Sequence, residues 1–152
     1  MLPIHTVLGS SDFSEQSYKA LQVAIEMAAH FQAELVLVHV VPAAPGIFAD
    51  PAYAFAGPEQ YEQALKESAE KQLSIAAQNL PAELKSRIAI GTGDAANEIV
   101  RLAKIEAADL IVIATHGLTG WRHLVFGSVA EKVIRLADRP VLVIPAHEVK
   151  GD

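Results

Sequence analysis

Cysteine is absent from the 152 residues, which excludes disulfides, thiolate nucleophiles and sulfur metal ligands. That absence fits a reducing cytoplasm, the compartment expected here. Aromatics make up only 6%, so the core must be aliphatic, as helices packed on a parallel sheet require. Positive charge is in the minority, 12 Lys+Arg against 18 Asp+Glu for a formal charge of -6, which opposes nonspecific attraction to nucleic acid or to an anionic membrane. The first residues carry no charged n-region or long apolar run, and residues 35–48 are interrupted by His39, Pro42 and Pro45, so neither a signal peptide nor a membrane span is expected. No G-x-x-x-x-G-K-[ST] phosphate loop occurs, and His5, His30, His39 and His147 are too scattered for a metal site, so no structural metal is assigned.

What is present is a chain of 51% hydrophobic residues, long enough for one buried core and short for two. One domain over residues 1–146 is expected, followed by a tail at 147–152. Residues 4–8 form a short strand ending in a turn at Gly9-Ser10-Ser11-Asp12. Asp12 and Glu15 resemble a capping box opening a helix on Leu21, Ala24, Ile25 and Ala28. Residues 35–41 are a nearly continuous apolar run, as in a strand covered on both faces, and Pro42 stops it. Residues 42–58 hold four prolines and two glycines and read as a long loop, either functional or a simple spacer.

The alternation then repeats. Tyr61, Leu65, Ala69, Leu73 and Ala76 recur at helical spacing, residues 87–91 form a third strand, and Asp94 caps a third helix on Ile99, Leu102 and Ala103. Residues 109–114 are a fourth strand, residues 127–137 a fourth helix, and residues 140–145 a fifth strand bounded by prolines. Strand and helix alternating to the end predict a doubly wound α/β fold, a single parallel sheet with helices on both faces. Ligands of such sheets bind beyond the carboxyl ends of the strands. Ser10, Ser11 and Asp12 lie on that edge, as does the loop from Ala114 to Ser128.

That second loop carries most of the chemistry. Gly117 and Gly120 allow close backbone approach, Gly127 and Ser128 open a helix whose first-turn N–H groups favour an anion, and Arg122 and His123 add donors. Residues 115–139 hold Arg122, Lys132, Arg135 and Arg139 against Glu131 and Asp138, a local positive excess in an acidic chain. A phosphate group, most economically that of a nucleotide, fits this composition; glycines that merely turn a strand into a helix remain the alternative.

The whole chain resembles the universal stress protein family. The resemblance rests on Val7-Leu8-Gly9-Ser10-Ser11-Asp12-Phe13-Ser14, on Leu37-Val38-His39-Val40, on residues 93–99 and 127–133, and on residues 140–144. The ATP-binding branch of that family carries Gly, two residues, Gly, nine residues, Gly and Ser/Thr after strand 4. Here Gly117, residues 118–126, Gly127 and Ser128 follow the pattern, while Ala114 stands at the first glycine position. An alanine there costs little if φ is negative and is strained if φ must be positive.

The resemblance implies a five-stranded sheet of order 3-2-1-4-5, with Asp12 at the adenosine end of the ligand and the Val40 backbone at the adenine edge. It also implies phosphates held by Gly117, Gly127 and Ser128, and a homodimer through strand 5. The candidate nucleotide-binding set is Ser10, Ser11, Asp12, Val40, Ala114, His116, Gly117, Gly127, Ser128 and Val129. The expected ligand is an adenine nucleotide, ATP with Mg²⁺ as an accompanying ion, serving a regulatory role with an unidentified protein partner. Two alternatives stay open: a nucleotide-free dimeric interaction module, and a slow ATP hydrolase using His116 or His123 to polarise water. An efficient enzyme is not expected, and no catalytic residue is assigned.

Overall fold

Runs of Val, Ile and Leu pair into one parallel sheet. The structure, a computed structural model, describes residues 3–43, 57–115 and 127–145. Its strands are β1 (Thr6–Ser10), β2 (Glu34–Val41), β3 (Ser86–Thr92), β4 (Leu110–Ala114) and β5 (Val141–Ile144), in the spatial order β3-β2-β1-β4-β5. Every adjacent pair is parallel. The described helices are α1 (Glu15–Phe31), α2 (Pro58–Gln78), α3 (Ala95–Ile105) and α4 (Ser128–Leu136).

The near-continuous apolar runs have the cause proposed for them: side chains of a strand alternate between two faces, and here both faces are covered. Leu8, Val36, Val38, Ile111 and Ile113 pack under α3 and α4. Val7, Leu35, Leu37, Leu110 and Val112 pack under α1 and α2. At Gly9 α1 lies tight against the sheet, since a Cβ built there would meet Leu21 Cδ1 at 2.9 Å and Ala24 Cβ at 3.0 Å.

Helix ends follow local chemistry. α2 begins with Pro58 in its first turn, where the missing N–H costs nothing, so Pro58 belongs to the helix rather than to the preceding loop. Asp94 caps α3 by accepting from Asn97 N at 3.0 Å. Two expectations for the first β–α connection are corrected. β1 runs on through Gly9 and Ser10, because Gly9 has a partner on each side, Leu37 and Val112, and Ser10 pairs with Val38. The N-cap of α1 is Ser14, not Asp12: the Ser14 hydroxyl accepts from Ser17 N at 3.2 Å, while Asp12 Oδ1 accepts from Ser14 N at 3.0 Å.

Residues 44–56 of the long loop and the tail 147–152 lie outside the described residues. No described helix is long and apolar enough to cross a membrane.

Candidate functional site

β1 and β4 lie side by side, yet the helix that follows β1 packs on one face of the sheet and the helix that follows β4 on the other. The two connections diverge at the carboxyl ends of these strands and leave a crevice between them. A cleft of about 140 Å³ opens there. One water needs roughly 10–15 Å³ in the same measure, so the cleft has room for more than a single water.

Ser10, Ser11, Asp12, Val40, Ala114, Gly127, Ser128 and Val129, all expected in the site, line this cleft. His116 and Gly117 lie outside the described residues, as do Arg122 and His123. Sequence reasoning missed Ser17, His39, Thr115 and the helix-start residues Ala95 and Ala130, which line it too. Their contribution depends on strand register and helix packing. His39 did leave a signal, a polar side chain near the end of an otherwise apolar strand.

Ser10 is the last residue of β1, and strand alternation turns its side chain to the same face as Leu8, under α3 and α4. It is 9% exposed, and no hydrogen bond from its hydroxyl occurs among the described residues. A hydroxyl lining a cleft with no partner among the described residues is open to a hydrogen bond from a ligand or from water. Across the same cleft α4 begins at Gly127, which has no side chain to cap with. The Gly127 N–H donates to Thr115 O at 2.6 Å, anchoring the helix start to the end of β4, and the first-turn amides of Ser128, Val129 and Ala130 sit at the positive end of the helix dipole.

Ala114 is in β4 and is not among the positive-φ residues, so the methyl at the first glycine position costs no backbone strain. Alternation from Ile111 and Ile113 turns its Cβ to the α1 face, away from the start of α4. The departure from the glycine pattern therefore leaves the start of α4 clear.

Between β1 and α1 the chain makes a hook. The Ser11 N–H donates to Val38 O at 2.9 Å, Ser11 Oγ accepts from Phe13 N at 3.0 Å and contacts Ser17 Oγ at 3.0 Å, and Ser17 Oγ donates to Ser14 O at 2.9 Å. Phe13 is held at φ 65°, a left-handed conformation that costs an L-residue about 1–2 kcal/mol. The hook sets Asp12 in the cleft wall and buries Ser11, Ser14 and Ser17 at its base.

Next to the cleft-lining Ala95, Asp94 ties the start of α3 to the middle of α4 through Lys132 Nζ at 3.0 Å. Its carboxyl is held below the usual range, first by the Asn97 N–H and then by Lys132. No group of three His, Asp or Glu with metal-holding geometry occurs among the described residues.

The sequence pattern of the universal stress protein family matches residues 3–145. A universal stress protein of Methanocaldococcus jannaschii is 36% identical over 139 residues, an alignment covering 88% of this chain and 78% of that protein. Among solved structures, a universal stress family protein from Burkholderia pseudomallei superposes with a TM-score of 0.71 at 29% identity, covering 93% of this chain and 96% of that one. The universal stress protein from Archaeoglobus fulgidus in complex with dAMP superposes with a TM-score of 0.60 at 25% identity, covering 95% and 99%.

Proposed function

The chain belongs to the universal stress protein family, and from that premise we propose that its cleft binds an adenine nucleotide and that the protein acts as a cytoplasmic, ligand-responsive regulator. The observation that carries this reading is a helix start lacking a side-chain cap and a buried hydroxyl, Ser10, with no partner among the described residues, both lining one cleft. The helix start supplies donors for a phosphate, and the hydroxyl supplies a donor and an acceptor for a sugar or phosphate oxygen. The dAMP complex of a relative supports adenine as the base. In this reading the protein is of the ATP-binding kind, with Asp12 and the Val40 backbone meeting the nucleoside. Gly117, Gly127 and Ser128 meet the phosphates, and Mg²⁺ accompanies a triphosphate.

Ser10→Ala tests the observation directly. Removing a hydroxyl that has no partner among the described residues should leave the unliganded melting temperature unchanged or slightly raised, while calorimetric affinity for AMP and ATP should fall about threefold to tenfold through one lost hydrogen bond. Unchanged affinity together with reduced stability would make Ser10 a structural residue.

A homodimer through β5 is part of the same proposal. All four residues of β5 are half-buried, and the described residues supply a strand partner on one side of it. Pro140 O and Ile144 O accept from β4 and from Thr115 N, so the even-numbered residues bond inward and the N–H of Val143 faces the open edge. Val143→Pro should therefore spare the β4 pairing and block edge-to-edge association. Sedimentation of the folded variant is expected to show a monomer; a persistent dimer would put the interface elsewhere.

A further inference from the structure

Asp12 lies between two neighbours that are both gripped by one side chain. His39 Nδ1 lies 2.8 Å from the backbone oxygen of Ser11. That oxygen only accepts, so Nδ1 carries the proton and donates, in the neutral ring as in the cation. On the other side of Asp12, the ring of Phe13 stacks on the His39 imidazole with centroids 4.3 Å apart and an interplanar angle of 26°. His39 therefore touches the residue before Asp12 and the residue after it, and the residue after it is the one held at φ 65°.

The remaining bonds of the hook leave this grip a specific task. Ser11 is already fixed to β2 by its N–H, which donates to Val38 O at 2.9 Å. Ser14 is fixed to α1 as its cap. Between these anchors, Asp12 Oδ1 accepts from Ser14 N at 3.0 Å, while the His39 donor orients the Ser11–Asp12 peptide and the stack, together with Ser11 Oγ accepting from Phe13 N, holds the left-handed turn at Phe13. An aromatic residue does not enter that conformation unaided. Relaxation of the turn would break the bond from Ser14 N and rotate the Asp12 carboxylate relative to the cleft, while leaving the Ser11 N–H and the Ser14 cap in place.

We propose that His39 is the positioning residue for Asp12, a clamp on its two neighbours that presets the carboxylate as an acceptor for hydroxyl or amine donors of the ligand. The ligand half of this inference rests on the nucleotide reading above; the clamp itself does not.

The test uses His39→Leu, which keeps apolar volume against Phe13 but has no donor, and His39→Asn, whose side-chain amide falls near the position of Nδ1 and can donate to Ser11 O. With AMP and ATP as calorimetric probes, His39→Leu should lose roughly tenfold in affinity and His39→Asn should recover much of it. Adding Asp12→Ala to His39→Leu should cost little more than either change alone, because both remove the same interaction. A purely structural His39 would give additive losses and no rescue, and affinity unchanged in His39→Leu would also overturn the proposal. The ¹³Cα and ¹³Cβ shifts of Phe13 in the unliganded proteins read the turn independently. They should report a left-handed residue in the parent and lose that signature in His39→Leu. If the parent binds neither probe, the nucleotide reading fails while these shifts still decide the clamp: left-handed shifts retained in His39→Leu would overturn it.

Discussion

Aspartate in place of Ser128 is expected to separate stability from ligand binding. Ser128 is the first residue of α4, after an N-cap with no side chain, and a carboxylate there complements the helix dipole by about 0.3–1 kcal/mol. The unliganded melting temperature should hold or rise. The same carboxylate would stand where the helix start is proposed to hold a phosphate. Two unit charges about 4 Å apart repel by about 4 kcal/mol at an intermediate dielectric, and the exposure of Ser128 discounts that to about 2 kcal/mol, or roughly 30-fold in affinity. Thermal denaturation and calorimetry with AMP and ATP measure the two effects separately. Affinity retained in a stable Ser128→Asp protein would remove the start of α4 from the site.

The second large effect is on stability, at Gly9. A Cβ at this position already meets Leu21 Cδ1 at 2.9 Å and Ala24 Cβ at 3.0 Å. The leucine tip can swing aside, but the alanine Cβ is fixed to a helix that is fully buried at that point. Gly9→Val adds two further methyl groups to this contact, so α1 must lift from β1. Overpacking of this kind costs about 3 kcal/mol, or roughly 6–12 °C in melting temperature for a domain of this size. The β-propensity of valine does not offset it, since the obstruction is between layers and not within the strand. A melting temperature within a degree or two of the parent would show that α1 does not rest on the sheet at Gly9. Because α1 carries Ser14 and Ser17, which anchor the hook, nucleotide affinity should fall with stability in this variant, in contrast to Ser128→Asp.

The legible part of the fold was the part set by local periodicity. The apolar runs that became β2 and β4, the helical spacing from Tyr61 to Ala76 and the Asp94 cap are each fixed within a few residues, and each stands where the sequence places it. Strand order came only from the resemblance, because periodicity says nothing about which strands are neighbours. The first β–α connection was misread for a physical reason: Asp12 and Ser14 are both good caps two residues apart. What decides between them is the left-handed turn at Phe13, which depends on His39 from another strand. The same dependence hid Ser17 and Thr115, whose places in the cleft follow from β1 pairing with β2 and from the contact of Gly127 with Thr115. Ala114 shows the reverse case. The sequence posed a conditional question about its backbone, and φ answered it.

The central claim is that the crevice between β1 and β4 binds an adenine nucleotide, and a ¹⁵N amide titration of the parent protein with AMP tests it most directly. The account predicts saturable shift changes concentrated at Ser10, Asp12, Val40, Ala95, Ser128, Val129 and Ala130, whose residues meet in the cleft from separate strands and helices. No change up to millimolar AMP, or changes centred instead on the groove formed by Gln32, Leu84 and Lys85, would contradict it.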